Sequence, residues 1–159
     1  MKRVIQQRSF FLRDGLQIFD EEGEVCFSAD AEAATFRSEW RLRDPEGREK
    51  ALITRKFSPL RPVFTAAAGE ASLRIVKKAT LFRQIYEIRP LGWLAEGDPS
   101  SREYLLRRDG QEIARIAPGG PGRNRRTEVL IEDEKNELAV LCTALVIRSV
   151  LDRAASMKA

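Results

Sequence analysis

Histidine is absent from this chain of 159 residues. Its absence excludes Ser-His-Asp and Cys-His triads, histidine general acid–base chemistry, HExxH zinc sites and the zinc deaminase signature. Cysteine is scarce. Cys26 and Cys142 stand far apart in apolar surroundings, with no CxxC, which predicts two reduced thiols rather than a metal site or a redox pair. GxSxG, SxxK, GxxxxGK[ST] and GxGxxG are all missing, and every Asp and Glu has a turn or surface role to fill. Long apolar runs are missing too. Residues 1–13 are basic without the apolar core of a secretory signal, and the longest run, residues 138–147, is about half of what a bilayer-spanning helix needs. These absences predict a non-enzymatic, cytoplasmic protein with no cofactor, no metal and no transmembrane segment.

What is present is the composition of a globular protein, 43% hydrophobic and 33% charged, at a length that suits one domain over residues 1–159. Lysine and arginine total 28 against 24 acids, giving a formal charge of +4, a mild excess that favours anionic partners. The basic residues are interleaved with acids along the chain, as on an ordinary solvated surface.

From residue 3 to residue 131 the pattern reads strand, turn, strand. Residues 16–19 and 24–27 flank Asp20-Glu21-Glu22-Gly23, and residues 40–43 and 51–54 flank Asp44-Pro45-Glu46-Gly47. Residues 62–65 turn at Gly69-Glu70 into 73–76, and residues 104–107 turn at Asp109-Gly110 into 112–116. Each turn has the Asp or Gly that its backbone requires, so Asp20, Asp44 and Asp109 are read as turn residues rather than ligands. With further strands at 4–10, 84–88, 92–95 and 127–131, the count is about twelve, which predicts an all-β barrel or sandwich.

The period changes after Glu132-Asp133-Glu134, acids placed where a helix dipole favours them. Residues 137–153 predict a helix whose apolar positions cover its whole circumference, so protein must enclose it. Its apolar length, on the order of 20 Å, fits the bore of a barrel. Arg148 interrupts the apolar stretch and is expected either to emerge from the barrel or to pair with a carboxylate. Trp40, Trp93, Tyr86 and Tyr104 lie in strand-like segments and are expected in the core or at the rim rather than as stacking platforms for bases.

The run Leu81-Phe82-Arg83-Gln84-Ile85-Tyr86-Glu87-Ile88, the segment Lys56-Phe57-Ser58-Pro59-Leu60-Arg61-Pro62, the Asp109-Gly110 hairpin and the closing helix together resemble the LURP-one-related family. That family belongs with tubby C-terminal domains and phospholipid scramblases. The resemblance covers residues 4–151 and implies a closed twelve-stranded antiparallel barrel threaded by a hydrophobic C-terminal helix. It also implies a binding or scaffold module, with anionic phospholipid headgroups as the ligand class and a place at the membrane periphery. The chain has no Cys-rich segment for palmitoylation and no convincing calcium loop, so neither lipid anchoring nor lipid scrambling is expected.

Three basic clusters are candidates for such a ligand. Pro118-Gly119-Gly120-Pro121-Gly122 leads into Arg123, Arg125 and Arg126, whose guanidinium groups suit phosphate oxygens. Lys77 and Lys78, with Arg74 before and Arg83 after, form the second, and Arg55-Lys56 near Arg61 the third. Lys77, Lys78, Arg123, Arg125 and Arg126 are the predicted anion-binding residues. The alternative is a protein-interaction or nucleic-acid-binding module that uses the basic loop 118–126, nucleic acid being the less favoured partner.

Overall fold

The structure is a computed structural model that describes residues 1–7, 15–34, 37–56, 58, 61–78, 80–98, 100–119 and 126–158. Its strands are β1 (Lys2–Gln7), β2 (Gly15–Phe19), β3 (Val25–Ala34), β4 (Arg37–Arg43), β5 (Glu49–Lys56) and β6 (Val63–Ala68). They continue with β7 (Ala71–Lys78), β8 (Gln84–Arg89), β9 (Trp93–Asp98), β10 (Glu103–Arg108), β11 (Gln111–Pro118) and β12 (Arg126–Ile131). A 3-10 turn (Glu134–Asn136) then leads into α1 (Glu137–Lys158). Each strand pairs antiparallel with its sequence neighbour, and β1 pairs with β12, so the sheet closes into a twelve-stranded barrel. Closure leaves no unpaired edge to template association.

Two of the turns show how local sequence sets this geometry. Asp20 Oδ1 accepts from the N–H groups of Glu22 and Glu24 at 3.0 and 2.9 Å, and Asp44 Oδ1 accepts from those of Glu46 and Arg48 at 3.1 and 2.9 Å. Gly23 and Gly47 hold φ of 81° and 83°, where a side chain would be strained. The same DxxG spelling therefore produces the same turn twice. Asp109 and Gly110, at φ of 49° and 80°, make the two-residue left-handed turn whose twist matches that of the flanking strands.

Inside the barrel, α1 replaces a layer of side chains. Every residue from 140 to 148 is buried, and inward strand residues such as Ile5, Ile18, Leu42, Ile53, Ile75 and Leu106 close around them. Thr143 satisfies its hydroxyl within the helix by donating to the Ala139 carbonyl at 2.9 Å. The helix runs five residues beyond the expected end at 153, to Lys158, because residues 154–158 contain neither Gly nor Pro to stop it. β1 stops at Gln7, and residues 8–10 of the expected strand lie outside the described residues.

Antiparallel order gives the barrel two unlike ends. The short turns at 20–24, 44–48, 69–70, 90–92 and 109–110, together with the start of α1, lie at one end. The connections from β5 to β6, β7 to β8, β9 to β10 and β11 to β12, and the C-terminal part of α1, belong to the other. That second end is called the loop end below.

Candidate functional site

Among the described residues, members of each of the three basic clusters map to the loop end, but they do not merge into one patch. β5, β6, β7 and β8 are consecutive around the barrel. Lys56 closes β5, Arg61 lies before β6, Lys77 and Lys78 close β7, and Arg83 immediately precedes β8. Two of the predicted clusters thus join into a single arc. Arg126, the first residue of β12, lies five strands away from β7 in a twelve-stranded ring, on the far side of the mouth. Arg123 and Arg125 lie outside the described residues. Arg74 is not part of the arc, because its register with Thr65 and Arg89 sets it further down the wall.

Strand alternation divides Lys77 from Lys78. Lys78 belongs to the outward series, and its Nζ is 3.0 Å from Glu87 Oε1. Glu87 also pairs with Arg89, and the hydrogen bonds from Lys78 and Arg89 hold its carboxyl below the usual range. Lys77 follows buried Leu73 and Ile75 in the inward series and is in register with buried Tyr86, so it sits at the inner rim of the mouth. Arg55 takes the corresponding rim position on β5, with its guanidinium 5.9 Å from the centre of the Phe64 ring. Arg83 reaches Glu96 at 2.5 Å. Lys56, Arg61, Lys77 and Arg126 have no ion-pair partner among the described residues.

Between Lys78 and Arg83, the β7–β8 connection carries Leu81 and Phe82, exposed to 92% and 91% of their surface. The next most exposed large apolar side chain among the described residues is Leu94, at 46%. The sequence pattern does not single these two out, since they adjoin a strand-forming run. The available signal is that β8 starts only at Gln84, which leaves Leu81 and Phe82 without a sheet position to fill.

Arg148 does not emerge into solvent. It is 4% exposed, donates to Thr127 Oγ1 at 2.6 Å, and lies 3.8 Å from Asp152, which in turn pairs with Arg102 at 2.7 Å. Burial lowers the Arg148 guanidinium from its ordinary value and Asp152 opposes that shift. Arg102 adopts φ of 61°, a conformation held by its N–H bond to the Asp98 carbonyl and by the pair with Asp152. The cavity beside these groups, lined by Arg102, Ile116, Thr127, Ile147, Arg148 and Leu151, measures about 10 Å³. That is room for one water rather than for a headgroup. These groups fasten the helix end to the barrel mouth.

The remaining candidates take structural positions. Trp93, Tyr86 and Tyr104 are buried, and half-buried Trp40 stacks on Phe64 at 6.4 Å between ring centres. The three buried rings present no free face to a base. At the opposite end Asp133 accepts from the Lys135 N–H at 3.1 Å and caps the 3-10 turn, and Glu137 pairs with Arg3 at 2.6 Å. Among the described residues no cluster of three acidic, cysteine or histidine side chains could hold a metal ion. Cys142 is buried, its thiol pushed up to about 12 by desolvation, and half-buried Cys26 lies 3.3 Å from the Ile18 carbonyl. Among the described residues no helix is long and apolar enough to cross a membrane.

A closed antiparallel barrel filled by its own C-terminal helix, with a basic arc on one rim, defines a helix-filled β-barrel. The chain belongs to the LURP-one-related family, whose model matches residues 1–147. The fold that the resemblance implied is the one observed. No curated protein and no solved structure matches the chain.

Proposed function

We propose that this protein is a non-catalytic binding module that holds anionic phospholipid headgroups reversibly at a membrane surface. The observation that carries this reading is the grouping of Lys56, Arg61 and Lys77, cations without ion-pair partners among the described residues, in one sector of the loop end, Lys56 on the outer face of the wall and Lys77 at its inner rim. A cation left without a carboxylate on a rigid rim keeps its charge available to an external anion. Lys78 and Arg83 add to the local field, although Glu87 and Glu96 offset part of it. Arg126, at the start of β12, belongs to the same proposal as a second contact, together with Arg123 and Arg125, which lie outside the described residues.

Each basic residue near an anionic surface contributes about 1 kcal/mol, and the attraction decays over a Debye length of about 8 Å at physiological salt. Binding through the arc is therefore weak and falls as salt rises. A helix-filled interior suits this role, since the bore is occupied and the ligand must be met at the rim.

The test compares the unsubstituted protein with a Lys56→Glu/Arg61→Glu/Lys77→Glu variant on phosphatidylserine vesicles at low salt. The variant is expected to partition at least about a hundredfold less while retaining a cooperative unfolding transition. Equal partitioning would remove these three residues from the site.

A further inference from the structure

We infer that Leu81 and Phe82 form a wedge that enters the acyl-chain boundary of an anionic bilayer while the basic arc holds the headgroups around it. This inference rests on the headgroup-binding reading above and adds an apolar element to it. Folding gains nothing from leaving two large apolar side chains in water, and both are more than nine-tenths exposed at the tip of one connection. Their neighbours are charged in the complementary sense: Lys77 and Lys78 precede the connection and Arg83 follows it. Apolar side chains flanked in the chain by lysine and arginine are the composition of a segment that lies in a membrane interface, and here Lys77 is the flanking cation without an ion-pair partner among the described residues, while Lys78 and Arg83 also pair with Glu87 and Glu96.

The size of the patch favours a bilayer over a protein. A stable protein interface buries about 800 Å² on each partner around a central apolar cluster. Two side chains on one turn fall far short of that area. Insertion needs no matching surface, because the acyl boundary closes around whatever enters it, and the arc supplies the remaining attraction. The position also fits, since Leu81 and Phe82 lie at the same end and in the same sector of the barrel as Lys56, Arg61 and Lys77.

The experiment uses vesicles of phosphatidylcholine with phosphatidylserine and two variants. Leu81→Ser/Phe82→Ser is expected to keep its fold, because both side chains are exposed, and to partition about tenfold or more weakly, with the same salt dependence as the unsubstituted protein. Phe82→Trp is expected to show blue-shifted emission on binding and quenching by lipids brominated on their acyl chains, measured over the baseline of Trp40 and Trp93. Binding that is unchanged in the serine variant and unquenched in the tryptophan variant overturns the wedge and leaves the headgroup reading standing. Failure of the unsubstituted protein to bind removes both. Self-association that the serine variant abolishes, with no change in lipid binding, overturns the wedge in favour of a contact between copies of the chain.

Discussion

The Tyr104 ring occupies the space that a side chain at Gly97 would need. The two residues are in register across β9 and β10, and a Cβ built on Gly97 would collide with the ring and with the Glu103 carbonyl. From this position the Tyr104 hydroxyl donates to Gln84 Oε1 at 2.6 Å, tying β10 across Gly97 to β8. Burial raises the phenol well above its ordinary value, so it stays a donor.

Gly97→Ala is therefore expected to destabilise the barrel by about 1–3 kcal/mol, the usual cost of overpacking a filled site. Denaturant unfolding would measure it, and a neutral result would mean that the ring can move aside without loss.

The enclosed helix sets a second expectation. Leu141 and Leu145 are buried on α1 inside the barrel. Leu145→Ala should cost about 2–5 kcal/mol and still fold. Leu141→Asp or Leu145→Asp should abolish folding, because an unpaired buried charge costs several kcal/mol against a total stability of about 5–15. A soluble aspartate variant with a cooperative transition would contradict the helix-filled core.

Stability should also depend on pH through carboxyls held below their ordinary range, Asp44 and three others. Glu87 accepts hydrogen bonds from Lys78 and Arg89, Asp98 from the Ser100 hydroxyl and N–H, and Asp133 from the Lys135 N–H, and each is held below the usual carboxylate range. A carboxyl whose folded-state value is depressed stabilises fully above its unfolded value, about 4, and loses that contribution as pH falls through the folded value. The melting temperature is expected to stay level from pH 7 to about pH 5 and to fall below about pH 4. Glu87→Gln should make that fall shallower, and a melting temperature that rises on acidification would contradict the assignment.

Local chemistry made most of the architecture legible in the sequence. The DxxG turns at Asp20 and Asp44, the Asp109-Gly110 turn and the change of period at residue 137 each depend on a few adjacent residues, and the structure realises each of them. Which basic residues share a sector was not legible, because that depends on how twelve strands close into a ring. Lys77 and Lys78 are adjacent in the chain yet face opposite sides of the wall, while Arg55 and Lys77, distant in the chain, take corresponding inner-rim positions with only β6 between their strands. Arg148 needed the same three-dimensional information, since its partner Thr127 lies on β12. The exposure of Leu81 and Phe82 was hidden for another reason: hydrophobic periodicity marks residues that a core can use, and it does not report which of them the core leaves out.

The central claim is tested most directly by cosedimentation of the protein with neutral, phosphatidylserine and phosphoinositide vesicles, at low and at physiological salt, with a short DNA duplex as competitor. Binding is expected to the anionic vesicles alone, weaker at physiological salt and not displaced by the duplex at equal charge. Absence of binding at low salt, or displacement by the duplex, would contradict that claim.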